Sequence, residues 1–152
     1  MNKNFFLIEH PVIKRDVTIL RDKNTDSETF RAALQRVSNI LAVELSKEFR
    51  LTETEVETPL EKTQGAKLTH DIILVPVLRA GLGMVNGFLQ IIPEAKVGHI
   101  GLQRDEETLK PIEYYYKVPK QLETAEVVML DPMLATGGSA SEALKYLKNR
   151  GA

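Results

Sequence analysis

Three short apolar runs punctuate an otherwise mixed chain. Residues 71–78, Asp-Ile-Ile-Leu-Val-Pro-Val-Leu, are almost continuously apolar, the pattern of a strand buried on both faces of a parallel sheet. Residues 126–130, Glu-Val-Val-Met-Leu, repeat it, and residues 96–102, Lys-Val-Gly-His-Ile-Gly-Leu, carry a shorter version. Helical periodicity is clearest over 27–48. There Phe30, Leu34, Val37, Leu41 and Leu45 make one stripe, with Asp26 or Ser27 as the cap. Further helices are predicted over 82–92 and 138–149, the latter with Ala143, Leu144 and Leu147 facing inward. Residues 51–58 set Leu51, Glu53, Glu55 and Glu57 against Thr52, Thr54, Val56 and Thr58, an exposed or edge strand stopped by Pro59. Pro76 has no N–H for the ladder, so strand 71–78 should be ending there.

Strand, helix, strand, loop, strand, helix is the order of an α/β fold with a parallel sheet. The chain reads as one domain, with an N-terminal arm over residues 1–60 and a core over 61–152. Residues 103–124 break the pattern. They are polar, contain Pro111 and Pro119, and hold the cluster Tyr114-Tyr115-Tyr116-Lys117. A stretch of about twenty residues with little core inside a compact domain is usually functional or mobile. It is predicted to be a flexible β-arm that serves as a lid or a subunit contact, with residues 105–120 mobile when no ligand is bound.

Composition narrows the function classes. The 152 residues are 43% hydrophobic and 27% charged, ordinary for a globular protein that buries a core without staples. Twenty basic residues against 21 acidic ones give a net charge of −1, which argues against a strongly basic nucleic-acid binder. There is no cysteine, so thiolate catalysis and Cys-ligated metal are excluded. His10, His70 and His99 are scattered without metal-ligand spacing, and no metal-ligating residue is assigned. No apolar run approaches the ~20 residues of a membrane helix. The apolar stretch Phe5-Phe6-Leu7-Ile8 is too short for a signal peptide. The expected location is cytoplasmic, with no nucleic-acid or membrane partner.

Two strand ends carry chemistry. In Leu130-Asp131-Pro132-Met133-Leu134-Ala135-Thr136-Gly137-Gly138-Ser139, an acid ends a buried strand and a small-residue loop opens a helix. Ligands of open α/β sheets bind at the carboxyl ends of strands. Gly137 and Gly138 let the backbone approach an anion, Thr136 and Ser139 add hydroxyls, and the helix N-terminus adds free N–H groups. The segment suits a phosphate monoester, with Asp131 placed for sugar hydroxyls. It has neither the Lys and spacing of a Walker loop nor the Gly-x-Gly-x-x-Gly pattern. An ordinary strand-to-helix turn is the alternative. In Val77-Leu78-Arg79-Ala80-Gly81-Leu82-Gly83, Arg79 ends another buried strand, placed for a bidentate anion contact or for pairing with a surface acid. Two such loops suggest a ligand with two separate phosphate groups. Arg104 begins the excursion and either closes over a polyanion or is a plain charged loop residue.

Together these pieces resemble the uracil phosphoribosyltransferases. Asp131 to Ser139 looks like that family's form of the phosphoribosyl-diphosphate (PRPP) motif, with Pro132 where most type I phosphoribosyltransferases have a second acid. Similar segments are His10-Pro11-Val12 with Leu20-Arg21-Asp22, Glu57-Thr58-Pro59-Leu60, Val75 to Met84, and Arg104 to Pro111. The resemblance implies a Rossmann-like parallel-sheet phosphoribosyltransferase fold. It implies conversion of uracil and PRPP to UMP and diphosphate with Mg²⁺. Arg79 and Arg104 would hold the diphosphate, Asp131 the ribose hydroxyls, and Ala135, Thr136, Gly137, Gly138 and Ser139 the 5′-phosphate. Pro132, Met133 and Leu134 would complete the PRPP site, with Arg104 and Asp131 as the catalytic pair. It also points to a homodimer or larger homo-oligomer, with GTP as an activator in some members.

Family members continue past the helix that follows the PRPP loop, into further strands and a Gly-Asp-Ala-type loop that binds uracil. No residue here matches that loop, so no uracil-binding residue is assigned and a C-terminally truncated fold is expected. The alternative reading is a non-catalytic PRPP- or nucleotide-binding fragment or regulatory module. A remnant that pairs with full-length subunits is a further one. A related RNA-binding attenuator is disfavoured by Pro132 and by the net charge of −1.

Overall fold

The computed structural model describes residues 5–104 and 111–152. The chain begins with two packed helices, α1 (Pro11–Arg21) and α2 (Ser27–Ser46). The first lies in a stretch of the N-terminal arm over which no helix is predicted from the sequence pattern. Pro11 stands in its first turn and the His10 imidazole accepts the Val12 N–H, a start that suits proline's fixed φ. Asp26 caps α2, its carboxylate accepting from the N–H groups of Glu28 and Thr29, both at 2.9 Å.

The two helices are joined by a charge cluster. Asp16 is fully buried on α1. Arg36 of α2 reaches it with Nε at 2.8 Å and Nη2 at 3.0 Å, and Arg15 adds Nε at 2.9 Å. These guanidinium hydrogen bonds, that of Arg36 foremost, outweigh burial and hold the Asp16 carboxyl below the usual carboxylate range.

A two-stranded antiparallel hairpin follows, β1 (Leu51–Glu57) with β2 (Lys62–Leu68). The polar sequence of β2 gave no strand signal. Lys62 of β2 pairs with Glu55 of β1 at 2.7 Å, so the acidic face of β1 is partly answered by its neighbour.

The main sheet is built from β3 (Ile72–Leu78), β4 (Lys96–Val97), β5 (His99–Arg104), β6 (Pro111–Lys117) and β7 (Glu126–Leu130). β4 and β5 are two halves of one strand line broken at Gly98, whose N–H donates to the Leu74 carbonyl. Both pair parallel with one edge of β3, and β7 pairs parallel with the other. β6 pairs antiparallel with β5, so the order across the sheet is β7, β3, β4/β5, β6. The 103–124 excursion therefore begins as an antiparallel β-arm, and its expected mobility over residues 105–110 lies outside the described residues.

α3 (Leu82–Ile91) and α2 cover one face of the sheet, where Leu34, Ile72, Leu74, Met84, Phe88 and Leu130 pack together. α4 (Gly138–Asn149) covers the other, over Ile73, Val75, Val77, Ile100, Ala143 and Leu147. Alternate residues of β3 thus serve opposite faces, as period-two geometry requires of a central strand. One inward assignment is corrected: Leu144 is 45% exposed, and at the start of the α2 stripe Phe30 is 40% exposed. Nor does Pro76 end β3. It stands opposite Leu130, where β7 stops, and in the gap on the other edge between the β4 and β5 pairings. Its missing donor falls where the ladder changes partner.

Candidate functional site

β3 and β7 are parallel neighbours, so the loops leaving their carboxyl ends share one edge of the sheet. Asp131 follows the last residue of β7 directly, and Arg79 follows the last residue of β3. β5 is also parallel to β3, on its far side. Its last residue, Arg104, therefore lies toward the same carboxyl end, displaced sideways from β7 by two strand positions, about 10 Å at normal strand spacing, and running three residues, about 10 Å, past the last β3–β5 pairing at Gly101.

The loop after β7 is shaped by its first residue. The Asp131 carboxylate accepts the Met133 N–H at 3.1 Å, which turns the chain back over the strand end. Gly137 then takes φ of 77°, the left-handed region that favours glycine, and α4 begins at Gly138. No side chain caps this helix, so the N–H groups of its first turn face outward as donors for an anion. A concavity of about 60 Å³ sits here, lined by Asp131 and by Met133 through Ala140. Pro132 is half-buried behind it, and Met133 and Leu134 are 74% and 73% exposed. The hollow is small, and the N–H groups of the first turn of α4 open toward it.

The loop after β3 is a tight turn. The Gly81 N–H donates to the Val77 carbonyl at 2.9 Å, and Leu82 N–H to Arg79 at 3.2 Å, leading into α3. The Leu78–Arg79 peptide is cis. The Arg79 side chain is exposed. The turn abuts the end of β7: a Cβ on Gly81 would lie 2.3 Å from the Leu130 carbonyl oxygen and 2.7 Å from the Val77 nitrogen. Gly81 stands directly before Leu82, where α3 begins. Its contact with the neighbouring strand end has no local signature, because it depends on which strands pair.

A larger groove of about 460 Å³ runs along β7 toward α2 and α3, walled by Leu41, Leu45, Phe88 and Val128 with Asp131 at one end. Its lining is mainly apolar, unlike the phosphate-suited hollow. Among the described residues no group of three or more His, Asp or Glu is gathered as a metal centre, and no helix is long and apolar enough to cross a membrane.

The sheet edge thus brings together the 131–139 loop and the Arg79 turn, with Arg104 two strands away. Comparison with known proteins bears on the family and the fold. The family model described as uracil phosphoribosyltransferase matches residues 7–152. The uracil phosphoribosyltransferase of Finegoldia magna is 52% identical over 146 residues, covering 95% of this chain and 70% of the relative. That of Alkaliphilus oremlandii is 50% identical over 147 residues, covering 96% and 70%. Among solved structures, the AQ2163 protein of Aquifex aeolicus superposes with a TM-score of 0.88 at 40% identity, over 95% of this chain and 70% of that one. A purine phosphoribosyltransferase of Pyrococcus horikoshii shares the fold at 19% identity, with a TM-score of 0.57 over 78% of this chain and 65% of its own. A half-identical sequence across nearly the whole chain, on a shared fold, places this protein in the uracil phosphoribosyltransferase family.

Proposed function

We propose that this chain is a uracil phosphoribosyltransferase, converting uracil and PRPP to UMP and diphosphate in pyrimidine salvage. The observation that carries the reading is one of placement. Two anion-suited loops leave adjacent parallel strands at one sheet edge, in a chain about half identical to enzymes of that name.

The residues divide the substrate between them. The N–H groups of the first turn of α4, with Thr136 and Ser139, receive the 5′-phosphate. Asp131 accepts hydrogen bonds from the ribose hydroxyls. Arg79 and Arg104 hold the diphosphate through charge-assisted contacts. The C1′–O bond to diphosphate breaks as a C1′–N1 bond to uracil forms, and uracil gives up its N1 proton. Positive charge grows on the ribose ring as negative charge grows on the leaving group. Arginines fixed beside that group stabilise the transition state more than the ground state. Magnesium belongs to the same proposal. Asp131 would offer it one carboxylate beside the phosphate oxygens of PRPP, which suits an ion that usually binds one or two carboxylates plus substrate phosphates. When bound there it would neutralise charge on the diphosphate.

The oligomeric part of the reading is supported by apolar side chains turned outward, Phe5, Phe6 and Leu7 at the N-terminus and Leu51 and Leu60 in the hairpin region.

The test is product formation. Uracil, PRPP and Mg²⁺ are incubated with the protein, and UMP and diphosphate are quantified by chromatography. Equal release of both supports the transferase. PRPP binding without UMP supports the non-catalytic binding module, and neither binding nor turnover overturns both readings.

A further inference from the structure

The described part of the β-arm is gripped from below by a side chain that no sequence motif marks. Arg150 closes α4. Its Nη1 and Nη2 donate to the two carboxylate oxygens of Glu113 on β6, at 2.7 and 3.0 Å. Its guanidinium also lies over the Tyr116 ring, 4.1 Å from the centroid. One planar group therefore makes a bidentate ion pair and a cation–π stack with the same strand.

Glu113 and Tyr116 are three residues apart, and in a regular strand they would point to opposite faces. The register shows why both reach Arg150. Ile100 pairs with Tyr116 and Leu102 with Glu113, and Tyr114 is the extra residue between them. Ile100 and Leu102, two apart on β5, share a face. The bulge at Tyr114 resets the alternation of β6, so that Glu113 and Tyr116 share that face as well. This is the face α4 covers.

The clamp has a geometric consequence for the site. α4 runs from the phosphate-suited loop at Gly138 to Arg150, about 18 Å at the helical rise. β6 runs back from Tyr116 to Pro111, about 17 Å, and Pro111 pairs with Arg104. The helix and the arm are thus two long rigid elements joined at their far ends, one leading to the 5′-phosphate loop and the other to Arg104. A pivot of roughly 3° at the clamp moves the arm's tip by about 1 Å over that strand length, enough to misplace a contact to a reacting group.

We infer that Arg150 is a positioning residue, which sets the separation between Arg104 and the phosphate loop by fixing β6 on the last turn of α4. The inference rests on the PRPP reading above. It predicts a selective effect. Ligands that use only the α4 N-terminus should not sense the clamp, and ligands that also use Arg104 should.

Titration calorimetry of the full chain with ribose 5-phosphate, inorganic diphosphate and PRPP tests this. Arg150→Ala is expected to weaken diphosphate and PRPP roughly tenfold and to leave ribose 5-phosphate within about twofold. Arg150→Lys, which keeps one charged donor but loses the fork and the stack, should fall between. Glu113→Gln removes the ion pair while leaving the helix untouched, and should act in the same direction, so the proposal does not depend on one variant folding. Hydrogen exchange in residues 112–117 should quicken in both. If the variants lower Tm but keep the wild-type ratio of the affinities, the clamp is packing alone and the inference is overturned. It is also overturned if both variants lose all three ligands equally, since α4 itself has then been disturbed. A wild-type chain that binds none of them overturns the PRPP reading, and the positioning role with it.

Discussion

Gly81 lies against the main-chain carbonyl of Leu130, so that the turn carrying Arg79 and the strand end carrying Asp131 are in direct contact. A Cβ at Gly81 would come within 2.3 Å of that oxygen and within 3 Å of both the nitrogen and oxygen of Val77. All three atoms are backbone, and none can swing aside. Gly81→Ala is therefore expected to destabilise by about 2 kcal/mol, or roughly 4–8 °C in Tm for a chain of this size, measured by thermal denaturation. Gly138→Ala is the contrast. A Cβ there meets only Thr136 Oγ1 at 3.7 Å, an ordinary contact. That variant should keep its Tm and lose affinity for ribose 5-phosphate, because the methyl group stands where the phosphate approaches the backbone.

Arg79→Ala should separate binding from stability. The side chain is exposed at a strand end, and exposed arginines contribute little to packing. Tm is expected to change little. Losing charge-assisted hydrogen bonds to a diphosphate costs about 1.5–3 kcal/mol, so PRPP affinity should drop roughly ten- to hundredfold. Calorimetry and a melting curve on one preparation check both halves.

Asp131→Asn tests charge without disturbing shape. The carboxylate accepts the Met133 N–H, and an asparagine Oδ1 can accept it equally well, so the loop should keep its turn. What is lost is a charged acceptor for ribose hydroxyls and for a cation. UMP formation should fall by about tenfold or more, with Tm unchanged. A fall in Tm together with unaltered turnover would place Asp131 among structural residues.

Asp16 gives the fold a pH dependence. Its carboxyl is held below the ordinary value of 3.8, chiefly by the hydrogen bond from Arg36, then against burial by that from Arg15. A depressed folded-state pKa means that the unfolded chain binds the proton more readily. The stabilisation is fully present above the unfolded value and is lost as pH falls through the folded one. Asp16→Asn should lower Tm by a few degrees at pH 7, and the gap from wild type should narrow below about pH 4. Melting curves across pH 2.5–8 give the comparison.

The parts of the fold that position the site were largely legible because their signals are local. β3 and β7 are apolar runs that stop at a charged residue, and α4 starts where a glycine pair permits it. The phosphate-suited loop needed only the order strand, acid, small residues, helix. Most of what escaped depends on partners distant in sequence. α1 carries Ile13, Val17 and Leu20 at helical spacing behind Pro11, a local signal that the arm reading passed over, whereas the burial of Asp16 makes sense only with Arg36 beside it. β2, Lys-Thr-Gln-Gly-Ala-Lys-Leu, has no apolar alternation, because its hairpin is exposed on both faces. The inward assignment of Leu144 failed since α4 buries only a narrow stripe, Ala143 and Leu147, against the sheet. The bulge at Tyr114 and the grip of Arg150 follow from strand register, which no single stretch of sequence encodes.

The central claim is that the two loops form two halves of one PRPP site. Competition calorimetry with ribose 5-phosphate and inorganic diphosphate tests it most directly. Both fragments should bind to the same chain at once in the presence of Mg²⁺, and PRPP should displace both with a stoichiometry of one. Mutual exclusion of the two fragments, or displacement of only one of them by PRPP, would contradict the account.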